Sequence, residues 1–176
     1  MFAVPVLETS RLLLRGYKAS DFDAHLAMCQ DPGFYRYLTR APVGVEEAWV
    51  LLLRSAGHWV LRGFGFWAVE EKASGAFIGA VGFVDRKRTI EPPIGDTPEI
   101  GWVLASGVHG RGYATEAVTA ALAWGLTHFG PVRTMCIIDP DNGASLRIAG
   151  KFGYHEYART TYHGEPIVML ERPGQA

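Results

Sequence analysis

A chain of 176 residues, 48% of them hydrophobic and 20% charged, has room for one well-buried soluble domain and too little length for two. Its formal net charge of −1 excludes a general nucleic-acid binder, which needs a strongly basic face. Two cysteines, Cys29 and Cys136, exclude a disulfide framework, and without CxxC or HxxxH spacing no metal is expected.

Met1–Glu8 has no basic region, and Pro5 and Glu8 interrupt its apolar run, so it does not read as a secretory signal. No apolar run approaches the ~18 residues of a membrane span, and a cytoplasmic protein meeting neither membrane nor nucleic acid is expected. Arg11–Arg15 reads as a short strand. Ser20 and Asp23 form a capping pair ahead of a helix through Met28 that must stop near Pro32. A second helix is expected over Val45–Val60, with Trp49, Leu52, Leu53, Ala56 and Val60 on one stripe.

Phe66–Glu71 and Phe77–Asp85, separated by Lys72-Ala73-Ser74-Gly75, read as an antiparallel hairpin. The basic run Arg86-Lys87-Arg88 opens a long connection to Pro98, of a length that is often functional or mobile in compact domains. Glu99–Leu104 is a strand, and Gly101 inside it points to a bulge or a close backbone approach. A long helix follows over Gly112–Phe129, with Ala114, Val118, Ala121, Leu122, Gly125 and Phe129 inward. Then come a strand at Arg133–Ile138, a helix at Asn142–Lys151, and a hairpin of Tyr154–Thr161 and Glu165–Leu170 around His163-Gly164. With no internal repeat or linker, this order describes one mixed α/β sheet domain over residues 1–176.

The sharpest local signal is His109-Gly110-Arg111-Gly112-Tyr113-Ala114-Thr115-Glu116, between a strand and a long helix. Glycines let successive N–H groups turn toward one anion, and the helix N-terminus behind them adds free amides and partial positive charge. The same residues also fit a plain left-handed turn into a helix.

The chain resembles the GNAT superfamily of N-acetyltransferases, whose pyrophosphate loop runs Gln/Arg-x-x-Gly-x-Gly/Ala; here His109 departs from the first position. It is most similar to the RimJ/RimL type. The resemblance rests on Leu7–Arg15, Pro98-Glu99-Ile100-Gly101-Trp102, Asp139–Arg147 and Lys151-Phe152-Gly153-Tyr154, in family order.

That resemblance implies acetyl-CoA as cosubstrate and an amine acceptor, a peptide N-terminus or a small amine, with a homodimer left open. It implies a mostly antiparallel sheet, flanked by helices, whose central strands splay to admit the pantetheine arm. Trp102, Val103 and Leu104 would pair with the arm, and an amide near Val103 would meet the thioester oxygen. His109, Gly110, Arg111, Gly112, Tyr113, Ala114 and Thr115 would hold the pyrophosphate. Asn142 would contact the pantetheine amide, cap the helix, or both. Ser145 would bond the departing sulfur; an isolated helix serine would instead bond its own backbone.

A cousin branch places its acid–base pair where this chain has Ile137 and Ala149. Glu99 and Glu165 remain as candidate bases, with a surface salt bridge as the competing role for each, while a water chain could also take the proton; His155 and His163 have no assignment. No G-x-S-x-G elbow exists, which leaves direct transfer without a covalent enzyme intermediate. A catalytically silent acyl-CoA sensor is the alternative, and a Gly-rich nucleotide binder lacks GxxxxGK[ST]. The first helices and the 86–98 loop, with Tyr35, Tyr37 and Trp49 among their residues, would line the acceptor pocket.

Overall fold

The computed structural model describes residues 3–174. Its strands are β1 (Leu7–Glu8), β2 (Leu12–Arg15), β3 (Phe66–Glu71), β4 (Ala76–Val84), β5 (Glu99–Leu104), β6 (Thr134–Ile138), β7 (His155–Tyr162) and β8 (Glu165–Arg172). They form one sheet in the order β1-β2-β3-β4-β5-β6-β8-β7, antiparallel except between β5 and β6. The helices are α1 (Phe22–Cys29), α2 (Pro32–Leu38), α3 (Val45–Arg62), α4 (Tyr113–Phe129) and α5 (Gly143–Lys151). Among the described residues no helix is long and apolar enough to cross a membrane.

Most elements lie within a residue or two of the sequence expectation, because alternating apolar runs and glycine turns set them locally. The opening segment differs. Leu7–Arg15 is two antiparallel strands, Leu7 facing Leu14 and Glu8 facing Leu13, folded around Thr9–Arg11. The capping pair at Ser20 does not form: a 3-10 turn over Ala19–Asp21 precedes α1, and Asp21 is the residue at its N-terminal boundary. Pro32 does not only end a helix; it also begins one. Asp31 caps α2 by accepting from the Gly33 amide at 2.7 Å, and Pro32 occupies the first turn, where a missing N–H is harmless.

The main core lies between α4 and the sheet, where Ala117, Val118, Ala121 and Leu122 pack on Leu12, Trp67, Val81, Phe83 and Ile100. Ala117 takes the inward place expected of Ala114, which is only half-buried. Gly125 lets the helix approach, since a Cβ there would lie 2.6 Å from the Phe83 ring. Both cysteines are buried free thiols, and burial pushes each above the usual thiol range.

The stripe expected on α3 is rotated. Ala48, Leu52 and Trp59 are buried, whereas Trp49, Leu53 and Val60 are exposed at 38%, 49% and 66%. Apolar residues occur around most of this helix, so spacing alone could not choose the inner side. Trp59 chooses it: its Nε1 donates to the Phe66 carbonyl at 2.9 Å, and its ring packs against Trp67 and Trp124.

Candidate active site

β5 and β6 run parallel but pair at one position among the described residues, Glu99 with Met135, where the Met135 amide donates to the Pro98 carbonyl at 3.0 Å. Beyond that bridge they part. β5 is fully committed to β4, and β6 to β8, so the facing edges of Ile100–Leu104 and Cys136–Ile138 border a wedge. Such an edge accepts an extended polar chain as an added strand. Trp102, Val103 and Leu104 lie along its longer arm. Gly101 makes no bulge, because the β4–β5 register is unbroken; the close neighbour is the Phe66 ring, 2.9 Å from where a Cβ would sit.

The helix missed from sequence spans this wedge. At the start of α2, Asp31 accepts a hydrogen bond from Ser106, just past β5. Beyond its other end, Arg40 pairs with Asp139, just past β6, at 2.6 Å. Both anchors are polar and distant in sequence, and hydrophobic periodicity carries no trace of them.

The glycine loop closes the wide end of the wedge. Gly110 and Gly112 take φ of 75° and 79°, left-handed values that strain any residue with a Cβ. Gly112 is the N-cap of α4 and no side chain caps the helix. The amides of Tyr113, Ala114 and Thr115 therefore have no intrahelical partner. His109 turns back along the strand, its Nε2 donating to the Leu104 carbonyl at 2.8 Å.

Arginines brace the loop. Arg11 and Arg111 stack on the Tyr113 ring at 4.5 and 4.8 Å, and Arg11 donates to the Arg111 carbonyl at 2.8 Å. Glu71 accepts from both Arg111 and the Tyr113 hydroxyl. Glu116 accepts from Thr9 at 2.6 Å, the Arg11 amide at 2.8 Å and the Arg11 guanidinium at 2.6 Å. Burial alone would raise its pKa, but these bonds and one from Ser10 hold it at about 2. The first-turn acid of α4 is thus already neutralised by a side chain from the opposite end of the sequence.

α5 begins at the C-terminal end of β6. Asn142 caps it, its Oδ1 accepting from the Ser145 amide at 3.1 Å. Ser145 is half-buried, and among the described residues its hydroxyl bonds no protein group, unlike that of Ser55, which donates to the Leu51 carbonyl. Both carboxylate candidates are occupied. Glu99 receives a two-pronged grip from Arg88, 2.7 Å to each oxygen, deep in the protein rather than at the surface. Glu165 pairs with Arg40 at 3.1 Å. Both candidate bases therefore sit in ion pairs, Glu99 in a buried one and Glu165 in a more exposed one. Ile137 and Ala149 bring no ionisable group.

A cavity of about 430 Å³ adjoins the narrow end of the wedge, with Arg54, His58, Phe66, Arg86, Arg88 and Tyr162 in its wall. Phe66 covers Gly101 and Arg88 holds Glu99, so the cavity borders β5 directly. The 86–98 loop supplies Arg86 and Arg88 to this wall. Trp49 does not: it stands on the outer side of α3 against Phe22, and Tyr35 packs into a minor core under α2. A smaller, more apolar cavity of about 240 Å³ between α4 and Phe152 lies away from the wedge.

The family described as Acetyltransferase (GNAT) domain matches residues 11–155. The uncharacterized protein YkkB of Bacillus subtilis is 34% identical over 113 residues, 63% of either chain, so this chain spans under two thirds of that relative. A solved structure from Bordetella pertussis, described as a GnaT-family acetyltransferase, superposes with a TM-score of 0.84 at 32% identity, covering 96% of this chain and 99% of that one. The RimL ribosomal L7/L12 alpha-N-protein acetyltransferase, solved with coenzyme A, shares the fold with a TM-score of 0.76 at 17% identity, covering 96% and 98%.

Proposed function

Because this chain belongs to the GNAT acetyltransferase family, we propose that it moves an acetyl group from acetyl-CoA directly to a primary amine, a peptide N-terminus or a small amine. One observation carries the reading: the β5–β6 wedge ends at the uncapped N-terminus of α4. Its length suits an extended arm, since Ile100–Leu104 spans about 17 Å.

The pyrophosphate rests on the amides of Gly110–Thr115, with Arg111 held beside them. The pantetheine arm lies along Trp102, Val103 and Leu104, and Asn142 meets one of its amides with the side-chain nitrogen left over from capping. The amine nitrogen attacks the thioester carbon, and the carbonyl oxygen gathers negative charge facing the amide near Val103. That donor accelerates the step to the extent that it meets the oxyanion better than the ground-state carbonyl. The carbon–sulfur bond then breaks, the thiolate departs toward the Ser145 hydroxyl, and the amine's extra proton leaves to water. The RimL structure holds coenzyme A, which supports a like cosubstrate on this shared fold.

The experiment pairs coenzyme A binding with thiol release from acetyl-CoA against peptide N-termini, polyamines, amino acids and aminoglycosides. At about 100 times Kd, ligand binding adds about 2.7 kcal/mol and raises Tm by several degrees. Gly112→Val should abolish most of that increment relative to its own ligand-free Tm. Absence of any coenzyme A binding to the wild type refutes the reading, and binding without thiol release to any amine identifies a sensor.

A further inference from the structure

Charge in the 430 Å³ cavity is not balanced. Asp85 in its wall is already matched by Arg62 and Lys87, each at 3.0 Å, and Glu99 by Arg88. Both ring nitrogens of His58 are occupied: its Nδ1 donates to the Phe64 carbonyl at 2.6 Å and its Nε2 accepts from the Asp85 amide at 2.9 Å. Arg54 and Arg86 remain, and among the described residues neither has a carboxylate within ion-pair distance. Unpaired arginines on an open surface are ordinary. These two converge from α3 and the 86–98 loop on one concave site beside Arg88, despite their mutual repulsion. Desolvation by the wall, then the like charges of Arg54 and Arg88, lower the Arg86 guanidinium from its usual range, although Arg54 and Arg86 both keep exposed surface that screens the effect.

We propose that Arg54 and Arg86 bind the anionic group of the acceptor, so that the substrate is a small primary amine carrying a carboxylate or phosphate a few bonds from its nitrogen. The cavity volume is in the range of small-ligand sites. A guanidinium matches carboxylate and phosphate geometry with paired donors. The same wall repels polyamines and aminoglycosides, whose further charges are positive. An amine anchored there points its nitrogen toward Gly101 and the root of the wedge. This inference rests on the acetyl-transfer reading and narrows its acceptor.

The test compares glycylglycine with glycylglycinamide, and O-phosphoethanolamine with ethanolamine, as acceptors in acetyl-CoA turnover; the two pairs tell carboxylate from phosphate. The anionic member of at least one pair should lead by about tenfold or more in kcat/KM, the size of one charge-assisted contact. Arg54→Gln and Arg86→Gln should each collapse that ratio several-fold through KM, while calorimetry shows coenzyme A still bound, which confirms folding. Titrating the same four compounds into the coenzyme A complex reads binding without turnover. Turnover that prefers the neutral partner or a diamine, ratios that survive both substitutions, or binding that ignores the anion overturns the inference even where acetyl transfer is established. Turnover confined to long acidic peptides overturns the small-amine class.

Discussion

Replacing Glu116 with Gln keeps the shape of the side chain and removes the charge that ties Thr9, Ser10 and Arg11 to the first turn of α4. Lowering the carboxylate from its ordinary 4.5 to about 2 corresponds to about 3 kcal/mol of folding stability. Arg11 is 45% exposed, and solvent screening of its share reduces the expectation to about 2 kcal/mol, or about 4–8 °C in Tm for a domain this long. The sign follows from a folded-state pKa below the unfolded one. The contribution is complete above the unfolded value near 4.5 and disappears as pH falls through about 2; roughly two-fifths should be gone by pH 3.5. Urea denaturation of both proteins at pH 7, 5 and 3.5, followed by fluorescence of the Trp59–Trp67–Trp124 cluster, measures the gap at each pH. A gap under about 0.5 kcal/mol at pH 7, the range of ordinary surface substitutions, or one that does not narrow at pH 3.5, refutes the reasoning.

Ser145→Ala should lower kcat about tenfold with little change in KM for acetyl-CoA, because a bond to the departing sulfur strengthens as charge develops. Pre-steady-state rates under chemistry-limited conditions check this, and an unchanged rate returns Ser145 to an ordinary helix position. A free α-amine should be acetylated faster than a lysine side chain, since Glu99 and Glu165 are both held by arginines. At pH 7 the neutral form costs about 1.4 kcal/mol for an α-amine and about 4.6 kcal/mol for lysine. Matched peptides with one amine blocked decide it, and faster lysine acetylation at neutral pH would reveal a base elsewhere in the site.

Local chemistry made most of the fold legible. The β3–β4 hairpin announces itself by two β-rich runs around Lys72–Gly75, and α4 by a glycine loop followed by inward positions at helical spacing. Each of those signals is local, and so is each chemistry-bearing segment taken by itself: Glu99–Leu104, then the glycine loop, then Asn142 and Ser145. What the sequence left undecided was everything settled by partners far along the chain. The inner side of α3 depended on Trp59 finding the Phe66 carbonyl and Trp124. α2 depended on anchors at Ser106 and Asp139. The ion pair of Glu99 depended on Arg88 arriving from the 86–98 loop. Arg54 and Arg86 are exposed charges that only α3 and the 86–98 loop together bring to one cavity wall. Periodicity records which residues avoid water, whereas an ion pair, a cap or a cavity wall is a meeting of side chains that only the closed sheet brings within reach.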